Sequence, residues 1–107
     1  TVKDLTMQLG QKAAVGFMMR AHAEAQAILD EISPGKQSAE TKRLLHAATG
    51  SSGLTGLKLL EHGLRQVELS FDTSETTQQV ALERAREALD ATQKAIHKLG
   101  SSSSDNR

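Results

Sequence analysis

An all-α protein is predicted by three observations on this chain. Hydrophobic residues make up 37% of it, yet it has two Phe and no Trp or Tyr, so a core must come from Leu, Ala, Ile, Val and Met. Such side chains suit close helix packing better than a sheet sandwich. A single Pro interrupts 107 residues, and the stretches between breaks are rich in Ala, Leu, Glu, Gln, Lys and Arg, the strong helix formers. Apolar residues also recur at three- and four-residue steps, the period of one face of a helix. Because the breaks between these patterns are short, the expected architecture is an antiparallel up-down-up-down four-helix bundle, with a short N-terminal lead-in helix.

The lead-in is expected over Val2 to Leu9, covering one end of the bundle. The first long helix then covers roughly 11 to 32, with Ala14, Phe17, Met18, Ala21, Ala25, Ile28, Leu29 and Ile32 as its apolar stripe. Ser33-Pro34-Gly35 breaks it. A second helix starts after Ser38, a residue type that caps helix N-termini, and runs through Leu44 and Leu45 to about Ser52. A third carries Leu57, Leu60, Leu64, Val67 and Phe71 in unbroken 3-4-3-4 spacing. Asp72-Thr73-Ser74-Glu75 resembles a capping box with Asp72 at the cap. The fourth helix uses Leu82, Ala85, Leu89, Thr92, Ile96 and Leu99, with Gly100 as its C-cap. One domain over 1–100 is therefore expected, followed by a disordered tail over 101–107, in a piece cut from a longer protein.

Charge and cysteine content narrow the function. Thirteen basic and thirteen acidic residues cancel, and no dense Lys/Arg block marks a nucleic-acid footprint. Zero Cys removes disulfides, thiolate metal sites and thiol nucleophiles, and fits a reducing compartment. No apolar run approaches the ~20 residues of a membrane span. Neither nucleic acid nor membrane is an expected partner, and the isolated domain is expected to be a monomer.

One stretch is unusual for a plain bundle, from Leu44 to Leu57. On a wheel at ~100° per residue, Thr41, Leu44, Leu45, Ala48 and Ser52 form one arc, read as the core face. His46 falls roughly 145° from the centre of that arc, and so points to solvent. Ala39, Lys42, Arg43, Thr49, Gly50 and Gly53 are its expected neighbours on the outer face. Glycine inside a helix costs ~1 kcal/mol relative to alanine, and this helix accepts that twice beside one histidine. A bare surface of this kind makes sense if another protein must approach the imidazole closely. A histidine ring is substantially neutral near pH 7 and then serves as a nitrogen nucleophile. Phosphoryl transfer asks mainly for positioning and charge stabilisation.

The run His46-x-x-Thr49-Gly50-Ser51-Ser52-x-x-x-Gly56 closely resembles the histidine phosphotransfer signature, His-x-x-Lys-Gly-Ser-Ser-x-x-x-Gly. As in that family, an amphipathic Leu-rich helix follows, with an acidic residue at Glu68. The resemblance implies that His46 accepts a phosphoryl group from a receiver-domain aspartyl-phosphate and passes it to another receiver. It implies no kinase activity of the domain's own and no cofactor bound by it, with magnesium on the partner receiver. Such domains often form the C-terminal module of a hybrid sensor histidine kinase. The expected compartment is the cytoplasm, including the cytoplasmic part of a membrane-bound sensor. The implied partners are receiver domains of response regulators or of the parent kinase. One position departs from the signature: Thr49 stands where the family has lysine, and Lys42 and Arg43, one turn earlier, are expected to supply the missing positive charge.

The remaining candidates have plainer explanations. His22 flanks the core stripe, His62 sits on an outer face, and His97 is near a C-terminus, where a cation suits the helix dipole. A His46–His62 metal pair lacks a supporting carboxylate cluster. Gly50, Gly53 and Gly56 lack the strand and lysine of a phosphate-binding loop. Ser51 and Ser52 are expected to end the helix or bond locally, and Met7, Met18 and Met19 to fill core space. Two alternatives stay open: a non-catalytic or degenerate helical interaction module, and the dimerisation and phosphoacceptor region of a histidine kinase.

Overall fold

The computed structural model describes the backbone of residues 2–105 and the side-chain surroundings of residues 10–99. Four helices and no strand are present among the described residues: α1 (Val2–Glu31), α2 (Ala39–Leu54), α3 (Lys58–Ser70) and α4 (Glu75–Asp105). None of these helices is long and apolar enough to cross a membrane. α1 packs on α2, α2 on α3, α3 on α4, and α4 back on α1. Each helix therefore has two neighbours and turns one stripe inward.

The core is aliphatic, as the composition requires. Ala25, Ile28, Leu29 and Ile32 of α1 and its exit meet Leu45 and Ala48 of α2, Leu60, Leu64 and Val67 of α3, and Ala81, Leu82 and Ala85 of α4. Small residues let α3 and α4 approach closely. A Cβ on Gly63 would lie 3.2 Å from the Ala85 Cα and 3.3 Å from the Ala88 Cβ. Polar side chains tie the helices at specific heights. The His22 Nε2–H donates to the Leu89 carbonyl at 2.9 Å, and the Gly35 N–H donates to the Gln78 Oε1 at 2.7 Å.

Helix ends differ from the sequence-based expectations in several places. α1 runs without a break from Val2 to Glu31, so no separate lead-in helix precedes it. Gly10 and Gly16 both lie inside the helix. Ser38 caps α2 as expected, its hydroxyl accepting from the Thr41 N–H at 3.1 Å. The helix continues past Ser52 to Leu54. Leu57 and Phe71 flank α3 as its caps and are half-buried against the core. The α4 cap is Ser74 rather than Asp72: the Ser74 Oγ accepts from the Thr77 N–H at 3.2 Å, two residues beyond the cap assigned to Asp72. α4 passes Gly100 and reaches Asp105, since neither Gly nor the following Ser residues forbid helical backbone. The end of the expected tail, 106–107, lies outside the described residues.

The apolar stripes are also narrower than the periodicity implied. Phe17 and Leu99 are exposed and Met18 is half-buried, because α2 and α3 are short and leave those parts of the long helices uncovered. On α2 the buried arc is Leu45, Ala48, Thr49 and Ser52, turned toward Thr49, while Leu44 is 40% exposed. Leu45→Ala should therefore cost about 2–5 kcal/mol of stability, as for a fully buried leucine, and Leu44→Ala less than about 1 kcal/mol. Urea unfolding of the two variants checks this, and similar losses at both positions would contradict the observed arc.

Candidate functional site

His46 stands at the middle of α2, with 82% of its side chain exposed. Its Nδ1 lies 3.1 Å from Glu68 Oε2, across the α2–α3 seam. A carboxylate only accepts, so Nδ1 carries the proton and donates. In the neutral ring that leaves a lone pair on Nε2. The other Glu68 oxygen, Oε1, accepts the Thr49 hydroxyl at 2.6 Å. One carboxylate thus bridges two residues of α2 that are separated by three positions, and Glu68 itself is 24% exposed.

Local sequence explains the arrangement. His46 and Thr49 are neighbours on the helix surface by their three-residue spacing, one facing solvent and the other facing α3. Thr49 is 3% exposed. Its Oγ1 is also 2.9 Å from the Leu45 carbonyl of the preceding turn, and its single proton goes to the shorter, charge-assisted bond with Glu68. Thr49 does not lie on the outer face with His46, as the wheel had indicated. The wheel was centred too far from α3, which covers this edge of α2.

The other expected neighbours of His46 divide. Ala39 and Gly50 are exposed, and a Cβ on Gly50 would meet nothing within 4 Å. Gly53 is half-buried, and a Cβ there would run into the Glu61 carboxylate. It is therefore roofed by α3 instead of forming open surface. Glu61 in turn pairs with Arg65 at 3.1 Å and Lys58 at 3.7 Å. Lys42 and Arg43 are both exposed. Arg43 turns to Glu40 at 3.5 Å, away from the imidazole, and no contact joins Lys42 to His46. Ser52 is fully buried, and its hydroxyl has no hydrogen-bond partner, so it makes no local bond of the kind expected.

Glu68 is the residue of this candidate site that sequence reasoning left unconnected. It was legible as an acidic residue of the following helix, but it stands 22 positions from His46. Only the register of α3 against α2 brings them together. Among the described residues no group of three or more His, Cys, Asp or Glu is arranged to hold a metal ion. His62 is exposed on the opposite side of α3, in a groove with Thr77 and Arg84 of α4. His22 is buried in its bond to α4 and His97 is exposed.

No protein-family model, curated protein or solved structure matches this chain. The chemistry of the site rests on its own geometry: an exposed imidazole with one nitrogen held by a carboxylate and the other free, beside a patch of helix bare of side chains.

Proposed function

We propose that this chain is a histidine phosphotransfer domain, an antiparallel up-down-up-down four-helix bundle that relays a phosphoryl group through His46. The observation that carries the reading is the bond from His46 Nδ1 to Glu68 at 3.1 Å on a ring that is otherwise open. A nucleophile needs a lone pair in a known place, and the carboxylate puts it on Nε2. The antiparallel frame is supported by paired positions. His46 and Gly53 of α2 face Glu68 and Glu61 of α3, and His22 and Gly35 face Leu89 and Gln78, so one number rises as the other falls.

Transfer follows from this arrangement. The Nε2 lone pair attacks the phosphorus of an aspartyl-phosphate on the receiver. The N–P bond forms as the P–O bond to the aspartate breaks, and the receiver keeps its carboxylate. Nδ1 retains its proton, so the phosphorylated ring gains positive charge, and Glu68 faces that charge. Transfer to a second receiver reverses these bond changes. The receiver brings the magnesium ion and most of the groups that stabilise the phosphoryl oxygens. In this reading Gly50, Ala39 and Ala47 are the low surface on which the receiver rests, and Lys42 and Arg43 lie on its rim. The chain functions in the cytoplasm, as a module of a hybrid sensor kinase or as its partner.

A second reading has one observation in its favour. With Thr49 buried and Arg43 turned to Glu40, neither the lysine position of the signature nor Arg43 places a cation at the imidazole, which fits a degenerate docking module without transfer. Incubation with a panel of phosphorylated receivers separates the two. Transfer predicts an acid-labile phosphoryl group on the wild type and none on His46→Gln, while a docking module binds receivers and takes up no phosphate.

Gly50 gives a further test. Gly50→Glu should keep the helix intact, since it relieves a glycine penalty of ~1 kcal/mol. It should also slow transfer by tenfold or more, because bulk and negative charge then occupy the approach path, an effect on the order of 1.4 kcal/mol. Unchanged transfer by a folded Gly50→Glu chain would show that this surface is not where the receiver sits.

A further inference from the structure

The signature position filled by lysine elsewhere is filled here by a hydroxyl that points away from the partner surface and into the α2–α3 seam. Thr49 is nearly inaccessible, so it cannot meet a receiver directly. What it touches is Glu68. A glutamate on a helix surface has three rotatable bonds, and a carboxylate that is 24% exposed has water available to it. Left to itself, it would sample many orientations. Thr49 is in the opposite condition. Its β-branched side chain is stiff in a helix, and burial at 3% exposure holds it in one rotamer. A rigid donor 2.6 Å from Oε1 therefore sets the direction of the whole carboxylate, and Oε2 falls 3.1 Å from His46 Nδ1.

We propose that Thr49 is a positioning residue: it orients Glu68 so that His46 is held as the Nδ1–H tautomer, with Nε2 as the nucleophilic nitrogen. The consequence for transfer rests on the phosphotransfer reading above, whereas the effect on the tautomer stands without it. The order of the chain is thus Thr49 to Glu68 to His46, with the first two partly or wholly buried and only the last presented to a partner. Among the described residues no Lys or Arg pairs with Glu68, and Arg65, one turn earlier on the same helix, is engaged with Glu61.

The test compares wild type, Thr49→Val and Thr49→Ser with two readouts. Ring nitrogen NMR shifts give the His46 tautomer ratio, and phosphoramidate supplies phosphoryl groups without a receiver. In that reaction the P–N bond to ammonia breaks as the Nε2–P bond forms, and ammonia leaves with its protons. The wild type should be predominantly the Nδ1–H tautomer. Thr49→Val should shift the ratio toward Nε2–H by about threefold to tenfold, as expected for one lost hydrogen bond, and slow Nε2 phosphorylation by a similar factor. Thr49→Ser should restore both. A folded Thr49→Val chain with the wild-type ratio and rate overturns the proposal. If the valine variant does not fold, Thr49→Ala is scored by the same ratio and rate. A wild type whose tautomer responds to Thr49→Val but which takes up no phosphoryl group supports the positioning role and defeats the phosphotransfer reading. Uptake by a wild type with no tautomer bias does the reverse.

Discussion

The register of α2 against α3 is the constraint on which the site depends, and a three-residue connection sets it. α2 ends in a Schellman turn, in which the Leu57 N–H returns to the Ser52 carbonyl at 2.9 Å and the Gly56 N–H to the Gly53 carbonyl at 3.1 Å. Gly56 sits at φ +79°, a left-handed backbone that residues with a Cβ adopt at a cost of about 1–2 kcal/mol. Leu57 then drops against the core, and α3 starts at Lys58. From there the chain has no freedom to choose which α3 side chain faces His46. A slip of one residue would rotate Glu68 by about 100° around α3, and both of its bonds to α2 would be lost.

The long helices supply what this short hairpin cannot. α1 and α4 have 30 and 31 residues against 16 and 13 for α2 and α3. They give the hairpin a stiff apolar bed in Ala25, Ile28, Leu29, Leu82 and Ala85. α2 is flanked by α1 on one side and α3 on the other, which leaves its remaining face outward. His46, Ala47 and Gly50 occupy it. Packing on both sides fixes the backbone beneath the imidazole, and the carboxylate from α3 fixes the ring. In the proposed transfer, an imidazole held in this way needs little reorganisation before attack.

Much of this was readable in the residues. The core leucines at 45, 60, 64 and 82 follow the helical period, and the exposure of His46 follows from its angle to them. Gly50 as open surface was legible for the same reason. Four features were not. Thr49 and Gly53 were assigned to the outer face because a wheel treats one helix alone, while burial depends on how far a neighbouring helix reaches around it. Phe17 and Leu44 have apolar spacing yet stay exposed, because periodicity carries no information about where a neighbouring helix lies. Lys42 and Arg43 were expected at the imidazole from proximity alone, yet Glu40, three residues from Arg43, offered that side chain a carboxylate. Glu68 is the clearest case. Its residue type was visible, but its role exists only through the α2–α3 pairing.

The central claim is that the nitrogen opposite the Glu68 bond, Nε2 of His46, carries the phosphoryl group. It is tested most directly by transferring phosphate from a phosphorylated receiver to chain labelled with 15N in its histidines, then recording phosphorus–nitrogen couplings. The account predicts one acid-labile phosphoryl signal coupled to Nε2 of His46. Coupling to Nδ1, or an acid-stable phosphate on a serine or threonine, would contradict it.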